Sequence, residues 1–182
     1  KLLDTLAETQ PALVGGLVVT VLGVGVLHRL ARGHAAIDQV VAGVPGGAAN
    51  VQDMYPLAPP QEGILFHHLL ESEGDAYLLR AAFALDTRAR LDAYLAALQQ
   101  LVQRHDMLRT SLRWEGLAQP LQVVQRHAQM ETRTVELDAD GDCEQQFLQL
   151  SDPRHVRLDL RTAPLMLAYA AQDPRSGACY LA

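Results

Sequence analysis

The chain has 182 residues, 49% of them hydrophobic and 20% charged, with a formal net charge of -6. That length suffices for one domain with its own core. The negative balance, with no Lys/Arg run interleaved with aromatics, argues against a nucleic-acid binder. Cys143 and Cys179 lie far apart and form no C-x-x-C pair. This argues against a zinc ribbon or a dithiol redox motif and leaves two buried or idle thiols of a reducing compartment.

Residues 1–50 differ in composition from the rest. Positions 12–27 carry no charge, and His28, Arg29 and Arg32 follow them. A membrane span needs about 20 apolar residues, so the run 11–30 is marginal as an anchor. A signal-peptide core and a packed helix or linker compete with that reading. The charged, periodic sequence that follows shows no sign of export and favours the helix or linker. The breaker-rich stretch Val44-Pro45-Gly46-Gly47-Ala48-Ala49-Asn50 marks a boundary. Residues 1–50 are expected to be an upstream linker or docking segment, and 51–182 a folded domain. Lys1 at one end, and strand-like residues 178–182 at the other, read as cuts.

Beyond that boundary the elements follow in order. Pro59 and Pro60 open a helix over 61–70, with Ile64, Leu65, Leu69 and His68 on one face, and Gly74 and Asp75 end it. Alternation predicts a strand over 77–85. Leu91, Tyr94, Leu95, Leu98, Leu101 and Val102 recur at helical spacing and predict a helix over 89–105. Strands are expected at 108–114, 121–125 and 131–137, then a helix over 142–150 capped by Asp142. Two last strands, 164–171 and 178–182, flank the turn chemistry of Asp173-Pro174-Arg175-Ser176-Gly177. Helices packed on a mixed sheet, an α+β fold, are the expectation.

Three segments carry a resemblance. The first is Tyr55-Pro56-Leu57-Ala58-Pro59-Pro60-Gln61-Glu62-Gly63-Ile64-Leu65-Phe66-His67. The second is Arg104-His105-Asp106-Met107-Leu108-Arg109-Thr110-Ser111-Leu112, and the third is Leu158-Asp159-Leu160-Arg161-Thr162-Ala163-Pro164-Leu165-Met166. In this order and spacing they resemble the condensation domains of nonribosomal peptide synthetases over residues 51–182. The resemblance implies the N-terminal lobe of a chloramphenicol-acetyltransferase-like domain. It implies amide-bond formation between aminoacyl and peptidyl thioesters. These would be carried by phosphopantetheine on neighbouring carrier domains, with no cofactor held by the domain itself. The implied partners are those carrier domains, an adjacent adenylation domain and the C-terminal lobe of the same domain, in the cytoplasm.

A finer match lies on the first helix. His67-His68-Leu69, four residues, then Gly74-Asp75 is similar to the additional histidine motif of the dual epimerisation/condensation subclass. The resemblance implies that the donor Cα is inverted before condensation. Asp106 is similar to the residue common among domains that accept a D-donor. The family's HH-x-x-x-DG motif, which bears the histidine of condensation, does not occur in the sequence, so the stretch present is expected to be inactive by itself.

Removal and return of a thioester-acidified Cα proton suits a histidine of near-neutral pKa. His67 and His68 are clustered, but neighbours on a helix point about 100° apart, so at most one faces a given cleft. Each is equally open to a packing or capping role, and His67 could pair with Glu71 four residues on. No second pair at ligand spacing supports a metal site. The resemblance implies that Arg104 and Arg109 brace the site, with His105 and Thr110 in the same motif; a buried guanidinium needs such partners. Three rivals stand beside this reading: a condensation domain taking a ready-made D-donor, a non-catalytic docking piece, and a membrane-anchored protein.

Overall fold

The computed structural model describes residues 34–71 and 74–182; the apolar run 11–30 lies outside the described residues. In chain order the elements are α1 (His34–Ala42), β1 (Val51–Pro56), α2 (Pro59–Leu70), β2 (Phe83–Leu85) and α3 (Arg88–Arg104). Then come β3 (Thr110–Arg113), β4 (Leu121–Gln125), β5 (Glu131–Thr134), α4 (Cys143–Leu150), β6 (Leu167–Gln172) and β7 (Cys179–Leu181). A 3-10 turn, Asp106–Arg109, joins α3 to β3.

The strands divide between two sheets. One is three-stranded in the order β1-β4-β3, antiparallel throughout; the other is four-stranded, β2-β7-β6-β5, with a parallel β5-β6 pair and antiparallel neighbours. The fold is α+β, and the second sheet is mixed.

Helix α3 starts on Thr87, whose side chain accepts from the Arg90 amide, and lays Leu91, Leu95 and Leu98 against Ala168, Ala170, Cys179 and Leu181 of the mixed sheet and Met130 just before β5. Leu91 is 1% exposed; burying such a side chain contributes roughly 1.5–3 kcal/mol. Tyr94 and Leu101, expected on the same stripe, are exposed instead. Helix α4 is capped as its sequence predicts, with Asp142 accepting from the Gln145 amide at 3.1 Å.

A second core lies on the three-stranded sheet. Val40 and Val44, in and just after α1, pack with Val51, Leu121 and Val123. Arg113 at the end of β3 donates to the Gly43 carbonyl at 2.8 Å and the Arg161 carbonyl at 2.5 Å. The packed unit thus reaches upstream of Val51.

Three sequence expectations shift. Strand β1, unpredicted, pairs with β4. The expected strand over 77–85 narrows to Phe83–Leu85, because Asp75 accepts from the Tyr77 amide at 2.9 Å and the Leu78 amide at 3.1 Å and turns the chain there. Helix α2 buries only Leu65 and His68, at i and i+3, while Ile64, Phe66, Leu69 and Leu70 stay exposed. No described element covers that apolar surface.

Candidate functional site

Two polar centres come from the motif residues. The first is built on α2. Gln61 accepts from the Ala58 amide at 2.8 Å, satisfying a donor at the helix start. Gln122 of β4 donates to Gln61 and to the Pro56 carbonyl. The helix is thereby fixed on the sheet, and within about two turns of Gln61 it delivers His67 and His68.

Those two histidines part as helical geometry demands. His67 is exposed and lies edge-on to Phe66 and Tyr77, with ring centroids 6.0 Å apart in each case. His68 is buried, at 5% exposure. Its Nδ1 lies 2.8 Å from Asp75 Oδ2, and the other oxygen of Asp75 accepts the Tyr77 amide.

Gly74, between them in sequence, is buried with φ +66°, and a Cβ there would come within 2.6 Å of the Arg154 carbonyl oxygen. That backbone region and that proximity both demand glycine. Arg157 completes the unit, donating to the His68 carbonyl at 2.5 Å and to the Gly74 carbonyl at 3.2 Å. His68, Gly74 and Asp75, three residues of one sequence motif, are therefore one structural unit. Arg157, 89 positions from His68, carries no sequence signal that tied it to them.

The second centre is Arg109, 5% exposed. Its Nε donates to the Gln125 carbonyl at 2.8 Å. One terminal nitrogen donates to the Val102 carbonyl at 3.1 Å and to the Gln103 carbonyl; the other donates to Gln52 Oε1 at 3.1 Å and to Asp106. The guanidinium ties the end of α3 to β1 and β4. Thr110 donates to the Asp106 carbonyl at 2.9 Å, closing the same turn. Arg104 and His105, expected to be buried, are exposed; α3 ends with both on its outer side. The second and third motifs meet where the Leu112 amide donates to the Leu160 carbonyl at 2.7 Å.

An apolar cleft of about 320 Å³ has Leu79, Phe83, Met130, Val156, Leu165 and Leu181 among its walls, and His68, Gly74 and Asp75 do not line it. Among the described residues, no group of three or more His, Cys, Asp or Glu is placed to hold a metal ion. No described helix is long and apolar enough to cross a membrane.

The family model described as Condensation domain matches residues 51–182. The chain belongs to the condensation-domain family. This condensation domain is 55% identical over 138 residues to malpinin synthetase of Mortierella alpina, covering 75% of the chain and 2% of that protein. It is 45% identical over 168 residues to malpibaldin synthetase of the same organism, covering 92% of the chain and 3% of that protein. The chain thus spans a few hundredths of the length of these relatives. Its fold is similar to the first condensation domain of the CDA synthetase, with TM-score 0.56, 16% identity, and coverage of 72% of this chain and 34% of that one. It is also similar to a holo four-domain nonribosomal peptide synthetase bound to AMP and glycine, with TM-score 0.58, 14% identity, and coverage of 72% and 10%.

Proposed function

We propose that this condensation domain serves a nonribosomal peptide synthetase. It would join aminoacyl and peptidyl thioesters on carrier domains and invert the Cα of the donor before the amide bond forms. The printed names of its relatives support the first part: synthetases from a fungus and from bacteria match at 35–55% identity. The observation that carries the second part is the buried His68–Asp75 pair, held by Gly74 and Arg157. A histidine serving only to pack would need no carboxylate fixed by a separate backbone amide and no positive-φ glycine to bring it there.

Condensation needs a neutral, positioned amine, and positioning supplies much of the rate. The partners in this reading are the carrier domains with their phosphopantetheine arms, an adenylation domain and the C-terminal lobe, in the cytoplasm. Arg109 serves as the brace of the lobe. The test is product stereochemistry. The synthetase containing this domain, its upstream carrier loaded with an L-donor, should yield a condensed product with a D-residue at the donor position. A product that keeps the L-configuration refutes the inversion while leaving condensation standing.

A further inference from the structure

We infer that the apolar cleft is a slot for one added β-strand, supplied by the remainder of the same condensation domain. That strand runs in line with β7 and is hydrogen-bonded to Ala81 on one side and Leu167 on the other. The inference rests on the partner reading above.

Register places the slot. On one flank of β7, Phe83 stands opposite Leu181 and Leu85 opposite Cys179. Each step back along β2 is a step forward along β7. Ala82 is therefore level with Ala182, and residues 79–81 are level with positions past it. On the other flank Ala170 stands opposite Leu181, and Tyr169 exchanges both backbone bonds with Ala182, at 2.8 and 3.0 Å. Leu167 and Ala168 are thus also level with positions past Ala182. Strands β2 and β6 flank β7, so they lie two strand spacings apart, about 9–10 Å. The cleft is the gap between them: Leu79, Ala81, Leu167 and Ala168 are among its walls, and Ala182 lies at one end.

Backbone direction decides which groups face that gap. Antiparallel neighbours bond at alternate residues. Since Ala182 bonds to Tyr169, Leu181 turns its N–H and C=O toward Phe83. Two residues before Phe83, Ala81 turns the same way, and on β6 Leu167 repeats Tyr169. Each aims a donor and an acceptor into the slot. Among the described residues the Leu79 and Ala81 amides meet no acceptor. An unpaired peptide group against an apolar wall is costly once water leaves, and one inserted strand satisfies both edges at once. It also gives the strand-like alternation of residues 79–82 the partner that β7 does not reach.

Polarity and shape select the occupant. Positions in phase with Cys179 and Leu181 would face Leu98 and Met130, and they call for apolar side chains. A separate peptide or a second copy would have to stop against Ala182, whereas a strand in line with β7 meets no such end. This chain matches 34% of a solved condensation domain, which leaves the larger part of a domain of that fold to supply the strand.

The test is residue-resolved hydrogen exchange on the synthetase that contains this domain. The amides of Ala81 and Leu167 should exchange at least about 100-fold more slowly than those of Arg80 and Ala82, which point away from the slot. Ala81→Pro removes an inward donor and should speed exchange at Leu167, across the slot, by about tenfold or more. Ala82→Pro removes an outward N–H and should change it by less than about threefold. Fast exchange at both Ala81 and Leu167 in wild type overturns the slot, as does a greater effect of Ala82→Pro than of Ala81→Pro on Leu167. Protection that fades on dilution assigns the slot to a second copy and overturns the occupant. If Ala81 and Leu167 exchange fast while the synthetase still forms amide bonds, the pairing falls and the proposed function stands.

Discussion

Arg109 and His68 are both polar side chains at about 5% exposure, yet they are satisfied in opposite ways. Arg109 spends every arm of its guanidinium, on three backbone carbonyls, Gln52 and Asp106. The His68 ring is held, among the described residues, by Asp75 at one nitrogen. A buried group whose hydrogen bonds are all closed within the fold contributes rigidity. The two centres share a lobe but differ in how many bonds hold them.

The sharpest way to break this contrast is at Arg109. Arg109→Ala leaves the carbonyls of Val102, Gln103 and Gln125 without their donor and should cost about 3–5 kcal/mol, read by urea unfolding. Arg109→Lys should recover little, since a single ammonium cannot reproduce the fork. Loss below about 1 kcal/mol would put the brace elsewhere. Next comes Gly74→Ala, where positive φ and the Arg154 carbonyl together predict a loss of about 2–3 kcal/mol. Under the inversion reading, the share of D-residue at the donor position of the condensed product should fall with it, since the same residue places Asp75. Asp106→Ala should cost about 1 kcal/mol or less, because its side chain is 57% exposed and the other partners of Arg109 remain.

The smallest effect tests the closed arrangement in miniature. Asp173 accepts from the Ser176 hydroxyl, the Arg175 amide and the Ser176 amide, and these bonds pull its carboxyl down to about 2. A carboxylate depressed in the fold contributes stability above its unfolded value of 3.8 and loses it as pH falls through about 2. The unfolding midpoint of wild type should therefore fall more steeply than that of Asp173→Asn between pH 4 and pH 2 (roughly the interval set by the two values).

What the sequence made legible is local. Helix α3, strand β4 and the Asp142 cap of α4 follow from periodicity and capping within one segment. The failures are non-local or competitive. Residues 77–82 alternate like a strand, but Asp75 captures their first amides and bends the chain. Val51–Pro56 has a mixed burial pattern and becomes a strand because β4 offers it a partner. Arg104 and Arg109 sit in one motif with equal charge, and only the turn after α3 swings Arg109 inward. At the site, His68, Gly74 and Asp75 were readable as a motif. Which histidine faces inward was not, because that depends on Leu65 and His68 sharing the buried side of α2. Arg157 was invisible, since its partners are carbonyls in a segment 89 and 83 positions away.

The anchoring of α1 has a mechanical consequence. With Val40 and Val44 seated on the sheet and Arg113 grasping both Gly43 and Arg161, residues 40–44 cannot serve as a swivel. Torque applied to α1 passes straight into the β1–β4 pairing.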